Sequence, residues 1–102
     1  MNRAIVYDNL TLLFGGHPIQ FKIGLGFEGN LKNCRVKGLD LNEVRKKLET
    51  CNLRIRSKRV KDIFENYTGM ESLAEYYLSE FPESDFVRVI EHDTEEVWIY
   101  RN

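Results

Sequence analysis

Cysteine is scarce in this chain: Cys34 and Cys51 are the only two among 102 residues. Two thiols without a C-x-x-C spacing exclude a disulfide-built scaffold, and both are expected to be reduced. Histidine is as rare, with only His17 and His92. A metal centre drawn from His17, His92, Cys34 and Cys51 would need four scattered residues to converge, so no metal is expected. Long apolar runs are also missing, since nothing approaches the roughly 18 uninterrupted residues of a membrane-spanning helix. The opening Met1-Asn2-Arg3-Ala4 leads into alternation rather than into the apolar run of a signal peptide, which makes a cytoplasmic location the expectation. Excess charge of one sign is absent too. A formal net charge of −1 gives no general attraction to nucleic acid or to an anionic membrane.

What is present suits one globular domain over residues 1–102, with 42% hydrophobic and 30% charged residues. Charge is nevertheless uneven. Arg54, Arg56, Lys58, Arg59 and Lys61 form a basic run, and Glu91, Asp93, Glu95 and Glu96 an acidic one. The basic run has no interleaved pair of aromatic residues on which bases could stack, so it reads as a solvated loop and nucleic acid is not an expected partner.

Hydrophobic periodicity gives the elements. Ala4, Val6, Leu10 and Leu12 recur with period two, interrupted by Asp8, until Gly15-Gly16 breaks the run. Ile19, Phe21, Ile23, Leu25 and Phe27 alternate without a miss, which predicts a second strand with one buried face. Asp40 is placed to cap a helix over 41–51, with Glu43 three residues on and Leu41, Val44 and Leu48 at helical spacing. Thr68 and Glu71 make a Thr-x-x-Glu capping pattern for a second helix, whose apolar stripe Met70, Leu73, Ala74, Tyr77, Leu78 and Phe81 runs to Pro82. Residues 52–67 between the helices suit a loop with one helical turn. Phe86–Ile90 and Val97–Tyr100 flank the polar tip His92 to Glu96 and predict a closing hairpin.

Two hairpins separated by two amphipathic helices predict an α+β domain of order ββααββ, a four-stranded antiparallel sheet with both helices on one face. Such a sheet leaves two edges exposed. Edge-to-edge assembly of several copies is the expected remedy, hence a homo-oligomer joined through strand edges.

Several local motifs resemble the tunnelling-fold family of 6-pyruvoyltetrahydropterin synthase and its relative 6-carboxytetrahydropterin synthase. Phe14-Gly15-Gly16-His17 is similar to that family's Leu-His-Gly-His segment, whose histidines bind zinc. Val36-Lys37-Gly38-Leu39-Asp40-Leu41 stands where the family has Val-Asp-Phe, a spacer, an acidic residue and Leu, and Leu48-Glu49-Thr50-Cys51-Asn52-Leu53 where it has a catalytic Asp–His pair. Thr68-Gly69-Met70-Glu71-Ser72-Leu73-Ala74 resembles its Pro-Thr-x-Glu-x-Leu-Ala helix start, and Val87-Arg88-Val89-Ile90-Glu91 its Val-Arg-Val-x-Glu strand. The departures fall on the chemistry. Of the three zinc histidines only His17 survives, with Gly15 in place of one and Leu10 or a neighbour in place of the other. The connection from Leu13 to His17 has no room for the catalytic cysteine, and Thr50 replaces the catalytic histidine.

The resemblance therefore implies a pterin-synthase-like protein without zinc or catalytic residues, not expected to be an active synthase. It implies a pterin- or purine-like ligand anchored by Glu91, whose carboxylate would accept two parallel N–H bonds, with Thr68 and Glu71 close by. Thr68 and Glu71 are also explained by helix capping alone. Two other outcomes stay open. One is a metal-independent enzyme of the same superfamily using Glu49 or Glu91 as its acid–base group; the other is a structural or regulatory interaction protein, for instance a viral or mobile-element product.

Overall fold

A computed structural model describes residues 2–91 and 95–102. Strand β1 (Arg3–Phe14) and strand β2 (His17–Glu28) form a long hairpin in which Phe14 pairs with His17. Gly15 and Gly16 are left as a two-residue turn with φ of 57° and 84°. Both values are left-handed, the requirement of the hairpin turn whose twist matches the flanking strands, and glycine meets it without strain. The hairpin therefore runs to the glycines, beyond the sequence-predicted end at Leu12.

β2 is central. It pairs on its far side with β5 (Phe86–Glu91), which pairs with β6 (Glu95–Tyr100), giving a four-stranded antiparallel sheet of order β1-β2-β5-β6. The register aligns Val6 with Leu25, Leu25 with Val87 and Val87 with Ile99. Because successive side chains alternate between faces, one face gathers Val6, Leu10, Leu12, Phe21, Ile23, Leu25, Phe27, Val87 and Val89, all of them buried. Helix α1 (Leu41–Ile55) lies against β1, and helix α3 (Met70–Glu80) against β5 and β6. Val44, Leu48, Cys51 and Ile55 from α1, with Leu73, Ala74 and Tyr77 from α3, close this layer. Each such side chain contributes about 1.5–3 kcal/mol when withdrawn from water.

The α+β class and the four-stranded antiparallel sheet are those read from the sequence, and the details differ in four places. Among the described residues there are three helices rather than two, because the one helical turn expected inside the 52–67 segment forms as α2 (Val60–Ile63). α1 continues four residues past its expected end, since Ile55 extends the stripe of Val44, Leu48 and Cys51; Asp40 caps it as expected, accepting the Asn42 N–H at 3.0 Å. α3 starts at Met70 rather than Thr68, and the Thr68–Glu71 capping box does not form. Gly69, at φ 141°, takes the N-cap position, which puts Thr68 outside the first turn. Its N–H instead donates to Ser72 Oγ at 3.0 Å, with the two hydroxyls 3.1 Å apart. Lastly, a two-residue hairpin of β3 (Arg35–Val36) and β4 (Leu39–Asp40) precedes α1 and buries Val36.

Two tethers hold the periphery. Ser57 N–H donates to the Thr11 carbonyl at 2.7 Å and Leu13 N–H to the Lys58 carbonyl at 3.0 Å, so the 57–58 segment straps part of the β1 edge. The Arg101 guanidinium donates to the carbonyls of Leu78 (2.7 Å), Phe81 (3.1 Å) and Ser84 (2.8 Å), which complements the negative end of α3. Among the described residues, no helix is long and apolar enough to cross a membrane.

Candidate functional site

Glu91 ends β5, aligned with Phe21 on β2 and Glu95 on β6. Alternation puts it on the same face as Val87 and Val89, half-buried at the end of β5, with the β1–β2 hairpin running on beyond it. Aromatic rings stand beside it. Phe14 meets Phe21 at 6.0 Å between centroids and Tyr67 edge-on at 5.3 Å, and Tyr67 meets Phe64 at 5.7 Å. The Tyr67 phenol is pushed up to about 12, first by burial, then by the negative charges of Glu91 and Glu71. Both carboxylates thus act on one hydroxyl. Of the three residues singled out in the sequence, Glu91 and Glu71 both act on Tyr67 through their charge, and Thr68 is its chain neighbour.

Tyr67 is the member the sequence did not reveal, because its role depends on the chain returning from α2 to the start of α3. Its phenol stays protonated at neutral pH and offers an O–H donor, while the carboxylates accept. Phe14 and Phe64, both partly exposed, supply apolar surface against which a flat ring could rest, with Phe21 buried beneath them. The set is chemically suited to a planar heterocycle whose edge carries N–H donors.

A second polar cluster interrupts the covered face. Asp8, which breaks the β1 alternation, accepts from Asn52 Nδ2 at 2.9 Å, and the Asn52 carbonyl oxygen accepts from the Tyr77 hydroxyl. Asn52 and Tyr77 are buried, and Tyr77 is held well above the usual phenol range by burial first, then by Cys51, Tyr76 and Asp8. Neighbouring Tyr76 is shifted the same way by burial and by the Cys51 thiol 3.9 Å away. Among the described residues no buried side-chain polar atom lacks a hydrogen bond, so this chain of contacts is a satisfied structural network joining β1, α1 and α3. A cleft of about 420 Å³ lies over it, lined by Asp8, Asn52, Glu49 and Arg56 among others. Glu49, one of the two alternative acid–base residues, belongs to this cleft, whereas Glu91 belongs to the end of the sheet.

The zinc chemistry implied by the resemblance does not fit these residues. Leu10 is buried in the aliphatic layer, Gly15 is a turn glycine without a side chain, and His17 is exposed where the hairpin re-enters the sheet. Cys34 is exposed and Cys51 buried against Tyr76, while His92 lies outside the described residues. Among the described residues no three His, Cys, Asp or Glu side chains form a group that could hold a metal ion. Thr50, where the family has its catalytic histidine, is exposed and donates back to the Lys46 carbonyl at 2.9 Å. The basic run is exposed, with Arg59 paired to Asp62 at 2.9 Å. No protein-family model matches the chain, and no curated protein matches it significantly.

Proposed function

We propose that this chain is a tunnelling-fold protein similar to the 6-pyruvoyltetrahydropterin synthases that does without their zinc chemistry and holds a pterin- or purine-like heterocycle at Glu91. The observation that carries this is the placement of Glu91: half-buried on the covered face, aligned with Phe21, and near enough for its charge, like that of Glu71, to act on the Tyr67 phenol. A carboxylate there accepts two N–H bonds from an aminopyrimidine edge, a bidentate and charge-assisted contact, while Phe14 and Tyr67 bound the ring. The order of strands and the helices over one face are compatible with the family. Copies would join through strand edges, and β6 pairs only with β5 among the described residues.

Thermal shift followed by calorimetry, with a panel of pterins and purines against pyrimidine controls, tests the reading. A pterin or purine should raise the melting temperature. Glu91→Gln keeps the shape but replaces an acceptor with a donor, so it should cost about 1.5–3 kcal/mol of ligand affinity with folding nearly unchanged. If no heterocycle binds the parent, or if Glu91→Gln binds it equally well, the pocket is refuted and an interaction protein on the same scaffold replaces it.

A further inference from the structure

The face of the sheet turned away from the helices carries rings and cations, together with Ile5, Ile90, Glu28 and Glu96. Tyr7 on β1, Phe86 on β5, and Trp98 and Tyr100 on β6 all occupy its alternate positions. Two glycines of β2 let the rings lie on the strand itself. A Cβ at Gly26 would stand 2.2 Å from the Phe86 ring, and one at Gly24 would stand 2.6 Å from that of Tyr7. Trp98 lies nearly parallel to Tyr100, at 11°, while Phe86 is tilted by 26° from Trp98 and by 33° from Tyr100. Together they make a shallow aromatic floor.

Cations sit on that floor. Lys22 stands 5.1 Å from the Tyr7 centroid, Arg3 5.5 Å from Phe86 and 5.7 Å from Trp98, and Arg88 4.8 Å from Trp98. Arg88 is tied to Glu96 and to the Tyr7 hydroxyl. Among the described residues Arg3 and Lys22 have no carboxylate within ion-pair distance, and both are exposed. The basic run at 54–61 argued against nucleic acid because no aromatic residues interleave with it; here the interleaving is made across strands, from residues far apart in the chain.

We propose that this face binds single-stranded nucleic acid, with bases stacking on Trp98 and Tyr100 and phosphates meeting Arg3 and Lys22. A protein partner, or a second copy laid face to face, would have to strip water from Lys22 and from Arg3, which donates to the Tyr100 hydroxyl at 2.9 Å rather than to a carboxylate, and interface cores are depleted in charge for that reason. A phosphate backbone supplies the missing negative charge, and a base offers the planar face that rings and guanidinium groups accept. Four strands at about 4.8 Å spacing leave room for two or three bases, the number held by other four-stranded platforms. Nothing in this depends on Glu91, which faces the opposite side.

Trp98 is the single tryptophan of the chain, so its emission reports this face alone. The full chain is titrated at low salt with an unlabelled single strand of roughly twelve nucleotides, a length within known site sizes. Trp98 emission should be quenched to saturation, and affinity should fall as salt rises. Lys22→Ala and Tyr100→Ala, both at exposed positions and checked for an unchanged melting temperature, should each weaken binding roughly tenfold. The double variant Arg54→Ala, Lys58→Ala should bind like the parent. Absence of quenching, equal binding by a duplex or a mononucleotide, or a loss that follows Arg54 and Lys58 rather than Lys22 and Tyr100 would each overturn the proposal.

Discussion

Along β5, Val87 and Val89 enter an aliphatic layer closed by α1 and α3, while Phe86 and Arg88 on the same strand turn to a floor of rings and cations. The same period of two serves both faces, but the forces differ. Burial of aliphatic side chains is non-directional and depends on how much area leaves water, so the covered face, apart from its Asp8–Asn52–Tyr77 network, tolerates volume-conserving repacking. The open face is held by pairwise geometry: glycines where rings must lie flat, hydroxyls within reach of guanidinium groups, cations over ring centres. Each of those contacts contributes only about 0.5–1.5 kcal/mol. Area-driven stability therefore concentrates on the covered face, whereas the open face is held by directional contacts.

The largest effect should come from the covered face. Leu73→Ala removes a fully buried side chain at the α3–sheet contact and should destabilise the domain by about 2–5 kcal/mol in chemical denaturation. Backbone circular dichroism and Trp98 emission should be lost together. A Trp98 transition separated from the backbone one would show that the faces unfold independently and would break the comparison as drawn.

Gly26→Ala acts from the other side. The new methyl group must displace the Phe86 ring, and overpacking of this kind costs about 1–3 kcal/mol. Trp98 emission should shift even in the folded state, because Phe86 stacks on it at 5.5 Å. An unchanged emission maximum and an unchanged denaturation midpoint would contradict the flat-ring description.

Asp85 should give the smallest effect, since it belongs to neither face and anchors β5 just before they diverge. Its carboxylate accepts from the Glu28 N–H and from Lys37, each at 2.7 Å. Burial works against its charge, yet these bonds together with Lys37 and Arg101 hold it below the usual carboxylate range. A carboxyl group depressed by folding stabilises the protein above its unfolded value and stops doing so as pH falls through the folded one. About 1 kcal/mol should be lost below roughly pH 4 for this part-exposed group. Asp85→Asn should flatten that part of the stability–pH curve, and a curve that keeps the parent's slope would assign the acid sensitivity elsewhere.

Much of the covered face was legible in the sequence because its signal is local. The unbroken alternation from Ile19 to Phe27, the Asp40 cap and the stripe from Leu73 to Phe81 each lie within one element. Ile55 continued the spacing of Leu48 and Cys51, but the basic residues around it hid the end of α1. Asp8 showed as a break in a pattern, without its partner, since Asn52 lies 44 residues away on another element. Glu91 could be assigned its face by counting from Val87, while Tyr67 could not be joined to it without the fold. The open face was illegible for the same reason: its rings and cations come from four strands at opposite ends of the chain, and Gly24 and Gly26 look like weak points until the rings above them are seen.

The strap over β1 carries a consequence for any strand that would lie beside that edge. With the Thr11 carbonyl and the Leu13 amide taken by Ser57 and Lys58, hydrogen bonding to an incoming strand cannot run past Thr11. The strap is an end stop. A shift by one residue would swap the two faces of the added strand, and a shift by two would keep them but misalign every neighbour. A fixed terminus on the receiving edge removes the registers that would run past it, leaving the guest strand a shorter track and a defined place to halt.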